Sequence, residues 1–80
     1  MNKEQILNDL YDLFHEFFDD PDLELTPESS PETIEDWDSL AHISLIVSIE
    51  KHFRVKFSMN QVNELKSLGK IAEAVELLAG

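Results

Sequence analysis

The stretch EDWDSLAHISLIVSIE, residues 35–50, contains more apolar residues than one buried helix stripe requires. At about 100° of rotation per residue in a helix, its apolar positions divide into two groups, one on each side of Ser39. The group expected to face the core is Leu45, Ile46, Ile49 and Phe53. The second stripe is Leu40, Ile43 and Val47. This second stripe either supports a neighbouring loop or binds a partner, and the sequence leaves both interpretations open.

Two amphipathic segments flank this helix, which is predicted from Asp38 or Ser39 to about Phe53. A first helix is predicted from about Lys3 to Phe18, with Asn2 and Gln5 spaced for a capping box. Its expected buried stripe is Ile6, Leu10, Leu13, Phe14 and Phe17. Ser67 is placed to cap a last helix. The expected inner stripe of that helix is Ile71, Val75 and Leu78, with Ala72 and Ala74 allowing close approach.

A short helix and a long loop complete the organisation. Ser58 and Gln61 form a capping-box pattern that predicts a short third helix through about Leu65. Residues 19–37 contain all three prolines and many acids, and are therefore predicted to be a long connection. Its expected anchors are Leu23, Leu25, Ile34 and Trp37, and residues 30–32 suggest the cap and first turn of a short helical segment.

These patterns predict an all-α fold for a single domain, residues 1–80. The arrangement expected is a small antiparallel-type bundle of three main helices plus one short helix. A domain of this size has little room for a deep catalytic cleft. We therefore expect a protein that is not an enzyme.

Composition narrows the possible partners. The chain has 6 Lys and Arg against 17 Asp and Glu, a formal net charge of −11, so nucleic acid and anionic membranes are disfavoured and basic protein surfaces are favoured. With no cysteine, any thiol chemistry must be supplied from outside the chain. No signal-peptide pattern and no apolar run of membrane-spanning length is present, which predicts a cytoplasmic protein without membrane insertion. We also expect the protein to be a monomer.

Ser39 is the residue with the most distinctive chemical setting. Its simplest interpretation is a helix cap, because Ser and Asp are preferred there and Asp38 and Ser39 both precede the apolar run. The functional interpretation is an exposed hydroxyl at a helix N-terminus, where backbone N–H groups and the helix dipole favour a phosphate. Asp36 and Asp38 would then help to hold a divalent ion during phosphoryl transfer.

The motif Asp38-Ser39-Leu40, followed by an apolar helix ending in Glu50-Lys51-His52-Phe53, resembles the acyl carrier proteins, in which this serine bears 4′-phosphopantetheine. The resemblance extends over nearly the whole chain, through helix order, the acidic loop and length. It implies that a phosphopantetheinyl transferase uses coenzyme A and Mg²⁺ to modify Ser39, with Asp38 supporting the modification. The arm's thiol would carry an acyl or aminoacyl group as a thioester for separate loading and downstream enzymes. The partner contacts it implies are Leu40, Ile43, Val47, Glu50, Asp36 and Trp37, with no catalytic residue and no metal site in the chain.

Several positions depart from the pattern of carriers in fatty-acid synthesis. Trp37 and Asp36 precede the motif where small residues are common, and acids are replaced by Ala41, Ser44 and Lys51. The run Trp-Asp-Ser-Leu-Ala-His is closer to specialised discrete carriers that work with secondary-metabolite or surface-polysaccharide enzymes. The resemblance therefore favours a specialised carrier over a housekeeping one.

The sequence is also compatible with other functions and other roles for single residues. An unmodified acidic interaction module would also explain the charge and the second stripe. A hydrolase dyad of Ser39 and His42 is disfavoured because the only glycines, Gly69 and Gly80, do not form a nucleophile elbow. Trp37 either anchors the loop, with its indole N–H finding a partner, or shapes the approach to the arm.

Overall fold

The computed structural model describes residues 2–79, which contain four helices and no strand. Their bounds are α1 Lys3–Phe17, α2 Ser39–Phe53, α3 Met59–Glu64 and α4 Leu68–Ala79. The predicted all-α class, with three main helices and one short one, is confirmed. α1 packs against both α4 and α2. The core they share is Ile6, Leu10, Phe14, Ile34, Trp37, Leu45, Ile46, Ile49, Phe57, Leu65, Leu68, Ile71, Ala72 and Val75.

The first helix begins as its sequence predicts. The Asn2 side chain accepts a hydrogen bond from the Gln5 backbone N–H at 2.9 Å, and the Gln5 side chain accepts one from the Asn2 N–H at 3.2 Å. This capping box satisfies N–H groups that the helix itself cannot pair. The stripe that becomes fully buried is Ile6, Leu10 and Phe14, while Leu13 and Phe17 pack at its edge.

The last helix is seated tightly against the long loop. The Leu68 and Gly69 N–H groups donate to the carbonyl oxygens of Ser29 at 2.8 Å and Pro27 at 2.7 Å. A Cβ on residue 69 would lie 2.8 Å from the Pro27 oxygen, so only glycine permits this approach. The helix start is also stabilised by Ser67, whose Oγ accepts from the Lys70 N–H at 3.2 Å, as predicted.

The prediction that Leu78 of α4 is a core residue is wrong. Ile71 and Val75 are buried as expected, but Leu78 is 44% exposed. Leu77 and Ala79 are exposed too, so the last turn of α4 extends past the end of the core. Helical spacing places Leu78 on the inner face, but near the helix end this side chain is only partly covered.

The long loop is anchored by Ile34 and Trp37, and Leu25 also packs against the core, as predicted. Ile34 and Trp37 are buried, whereas Leu23 and Leu25 are half-buried. The predicted helical segment at residues 30–32 is a single turn, in which the Thr33 and Ile34 N–H groups donate to the Ser30 carbonyl. It does not extend into a helix.

Arg54→Gly is expected to stabilise the fold. Arg54 ends α2 in the left-handed conformation, with φ 57° and ψ 44°, and its side chain is exposed. Because glycine adopts this conformation without steric penalty, we expect the free energy of unfolding to rise by about 0.5–1 kcal/mol in urea denaturation. Lys51→Gly, at an exposed position within α2, is the control and should lower it by about 1 kcal/mol. A loss of stability in Arg54→Gly would contradict this explanation.

Candidate functional site

Ser39 is the first residue of α2, and Asp38 is its cap. The Asp38 carboxylate accepts a hydrogen bond from the Ala41 N–H at 2.8 Å, and its carbonyl oxygen accepts one from the His42 N–H at 2.8 Å. The capping role that the sequence left open between the two residues therefore belongs to Asp38. Ser39 is exposed and is not required to cap the helix.

The surroundings of the Ser39 hydroxyl suit a phosphate ester. The oxygen lies at the N-terminus of a 15-residue helix, where the dipole and the first N–H groups favour negative charge. No acidic side chain lies in the first turn of α2 itself. Glu35, Asp36 and Asp38, just before the helix, are exposed to solvent. The residues present thus fit a phosphopantetheine arm attached through the Ser39 oxygen.

The second apolar stripe is exposed. Leu40 is 81% exposed, Ile43 59% and Val47 43%. The other stripe is buried as expected through Leu45, Ile46 and Ile49. Of the two interpretations of the second stripe, support of the long loop is therefore wrong, and the stripe forms an apolar surface next to Ser39.

A groove of about 820 Å³ begins at Ser39 and lies between α2 and α3. The residues that define it here are Ser39, His42, Ile43, Val47, Met59 and Val62. Met59 is 80% exposed and continues the apolar surface of α2 onto α3. The sequence placed α3 correctly through its capping box, but did not show which of its residues would face α2.

Trp37 is the anchor of the long loop. It is only 1% exposed, and its ring meets Phe14 edge-on, with centroids 5.1 Å apart and planes at 82°. Its indole N–H donates to His42 Nδ1 at 3.0 Å. The packing against α1 and α2 leaves almost none of its surface exposed, which favours the role of loop anchor, and contact of Trp37 with a partner stays a prediction.

Both ring nitrogens of His42 form hydrogen bonds within the fold. Nδ1 accepts from Trp37, and Nε2 lies 3.0 Å from the Val62 carbonyl oxygen. Neither nitrogen is left to accept a proton from Ser39, so these residues do not form a hydrolase dyad. The other two histidines bond elsewhere, His15 to the Leu23 carbonyl and His52 to Asp9. Between residues 2 and 79, no cluster of His, Asp or Glu has the geometry to hold a metal ion.

Glu50 has a structural partner. Its carboxylate accepts a hydrogen bond from the Phe57 N–H at 2.8 Å, which fixes the connection between α2 and α3. The side chain is half-buried and also borders the groove. Glu50 therefore orients the groove wall, and its contact with a partner stays a prediction, as does that of the exposed Asp36.

Comparison with known proteins assigns the family. A family model described as phosphopantetheine attachment site matches residues 8–75. An acyl carrier protein of Acidothermus cellulolyticus is 32% identical over 79 residues, which cover 99% of this chain and 90% of that protein. The solution structure of the holo acyl carrier protein of Geobacter metallireducens superimposes with a TM-score of 0.83 at 40% identity, covering 90% of this chain and 83% of that one.

The chain belongs to the acyl carrier protein family, whose members are carriers and not enzymes. The residues matched by the family model include the whole of α2 and both apolar stripes around Ser39. None of the helices formed by residues 2–79 has the length and apolar character needed to span a bilayer.

Proposed function

We propose that Ser39 is the attachment residue for 4′-phosphopantetheine, and that the modified protein presents an acyl or aminoacyl group to separate enzymes. The observation that carries this is the exposed serine at the first position of α2, next to a cap supplied by Asp38. The arm supplies a terminal thiol, which the cysteine-free chain lacks, and holds its cargo there as a thioester.

The chain's own contribution to the modification is positioning. The Ser39 oxygen forms the new bond to phosphorus as the bond between that phosphorus and the nucleotide part of coenzyme A breaks. Its proton passes to the transferase. The helix N-terminus stabilises the negative phosphodiester that results. We place Mg²⁺ in the transferase, where Asp36 and Asp38 would help to complete the ion's surroundings.

Charge and exposed apolar surface suit enzyme partners with basic faces. Exposed acids precede Ser39, and the exposed stripe of Leu40, Ile43 and Val47 follows it. Opposite charge speeds encounter, and apolar contact at the centre of the interface then holds the complex. We place these enzymes and the carrier in the cytoplasm, the carrier acting as a monomer.

The sequence around Ser39 supports a specialised pathway. Trp37 before the motif, and Ala41, Ser44 and Lys51 at positions where fatty-acid carriers are expected to have acids, would change how α2 meets its enzymes. The cargo enzymes of secondary-metabolite or surface-polysaccharide synthesis are therefore favoured over those of housekeeping fatty-acid synthesis.

Intact mass tests the proposal. Purified protein is measured before and after incubation with coenzyme A, Mg²⁺ and a broad-specificity phosphopantetheinyl transferase, beside Ser39→Ala and Ser44→Ala. Ser44 is an exposed serine of the same helix and serves as the matched control. We expect wild type and Ser44→Ala to gain one phosphopantetheine, and Ser39→Ala to gain none while keeping its helical circular dichroism spectrum.

Two results would contradict the proposal. A mass gain in Ser39→Ala would move the attachment to another residue. If the starting protein is unmodified and no variant gains mass, the chain is an interaction module that binds through its exposed apolar stripe.

A further inference from the structure

His42 joins three parts of the fold. Its ring, on α2, accepts the Trp37 indole N–H at 3.0 Å and stacks on that ring, with centroids 5.9 Å apart and planes at 27°. Because an indole N–H can only donate, His42 Nδ1 must be the acceptor and Nε2 must carry the proton. Nε2 then donates to the Val62 carbonyl oxygen of α3 at 3.0 Å.

α3 has few other attachments. It is six residues long, and none of its residues is fully buried. Among the hydrogen bonds formed within residues 2–79, the one from His42 to Val62 is the only one that joins α3 to another helix. The Val62 carbonyl also accepts the Leu65 N–H at 3.3 Å, so His42 bonds to the turn that ends α3. His42 thus supplies the direct hydrogen bond from α2 to α3, in addition to the packing of Val62 and of the buried Phe57 and Leu65 that flank α3.

That position sets the shape of the groove beside Ser39. Ile43 and Val47 of α2 form one wall, Met59 and Val62 of α3 form the other, and His42 bridges the two. A chain that passes between α2 and α3 at the level of His42 must move α3 outward and break the bond to Val62. Movement of the ring would also leave the Trp37 N–H, in a residue that is 1% exposed, without an acceptor.

We propose that His42 is a positioning residue that sets the width of this groove, and thereby limits the length of acyl chain that the carrier can shelter. The inference rests on the proposed attachment at Ser39. Short acyl groups lie in the groove without disturbing α3. Longer straight chains displace α3 only by breaking the hydrogen bond from His42 to Val62, so this bond selects against sheltering them.

The rate at which the carried thioester is cleaved tests the proposal. Wild type, His42→Ala, His42→Gln and the control His52→Ala are loaded with acyl groups from acetyl to dodecanoyl, and cleavage of each thioester by hydroxylamine is timed. We expect the dodecanoyl thioester to be cleaved about tenfold more slowly in His42→Ala than in wild type, the shift that corresponds to one hydrogen bond. The acetyl thioester should be cleaved equally fast in all four proteins.

The variant His42→Gln distinguishes a positioning role of His42 from a general effect on stability. A glutamine amide offers one donor and one acceptor at a separation similar to that of the ring nitrogens, so His42→Gln should restore the wild-type dependence on chain length. His52 is an exposed histidine near the other end of α2, and its replacement should change nothing in this assay. The same dependence on chain length in His42→Ala and wild type would overturn the proposal.

Hydrogen exchange in the unloaded protein is a second test of the role of His42, and it does not require Ser39 to be modified. The Val62 and Leu65 N–H groups, which bond within α3 and its last turn, should exchange about tenfold faster in His42→Ala than in wild type. Those of Leu10 and Phe14 in α1 should change less. If the α3 amides exchange no faster, His42 does not position α3 and the inference is wrong. If Ser39 is never modified, the proposed function fails, but this measurement still tests the positioning role of His42.

Discussion

Trp37→Ala is expected to lower the free energy of unfolding by about 3–5 kcal/mol, the usual cost of truncating a buried tryptophan. The ring is 1% exposed and packs edge-on against Phe14. A domain of this length has roughly 4–12 kcal/mol of stability at typical values per residue. The variant should therefore be partly or largely unfolded at room temperature.

The loss has two physical parts, and Trp37→Phe distinguishes them. Phenylalanine keeps most of the ring volume and the contact with Phe14, but it removes the N–H that His42 accepts. We expect this variant to lose only about 1–3 kcal/mol, because the cavity is small and one polar atom is left without its partner. Circular dichroism during urea denaturation is the measurement, since Trp37 is the only tryptophan and its fluorescence is lost in both variants.

The opposite result would restore the other interpretation of Trp37. If Trp37→Ala unfolds at the same urea concentration as wild type and instead slows modification of Ser39, the side chain contacts the transferase and does not anchor the loop. In that case the packing against Phe14 would contribute little to stability.

The helices were predictable because their signals are local. Asn2 with Gln5, and Ser58 with Gln61, form the capping boxes that the spacing indicates, and the two stripes of α2 divide around Ser39 as the angles require. Leu78 shows the limit of this reasoning. Helical spacing identifies residues that share a face, but it does not show where the helix extends past its neighbours.

The site was only partly predictable, for a related reason. Ser39 and the exposed stripe follow from one helix, whereas the relay from Trp37 through His42 to Val62 spans 25 residues and depends on the path of the long loop. Each member has an ordinary explanation when taken alone. Only the fold brings an indole donor and a carbonyl acceptor to the two nitrogens of one imidazole.

Charge is distributed unevenly along the chain, and this bears on how enzymes approach. Five of the six basic residues are Lys51, Arg54, Lys56, Lys66 and Lys70, all after the middle of α2. Exposed acids, by contrast, precede Ser39. The exposed acids before the N-terminus of α2 therefore favour the approach of a basic partner surface towards Ser39.

Leu40→Gln is expected to slow modification by the transferase, lowering kcat/KM by about 10- to 100-fold, the effect of removing a central apolar contact from an interface. Leu40 follows Ser39 directly and is 81% exposed, so its apolar surface is available to a partner and contributes little to the core. Glutamine is a good helix former and adds no charge. Thermal unfolding should therefore remain close to that of wild type.

Leu77→Gln is the matched control, because Leu77 is 83% exposed and lies in the last turn of α4 rather than beside Ser39. Both variants replace a leucine of nearly equal exposure with glutamine, and they differ only in the position of that leucine in the fold. We expect Leu77→Gln to be modified at the wild-type rate in a continuous assay with labelled coenzyme A. If both variants react like wild type, the exposed stripe of α2 is not the transferase's docking surface, and the acids before Ser39 must then provide most of the recognition.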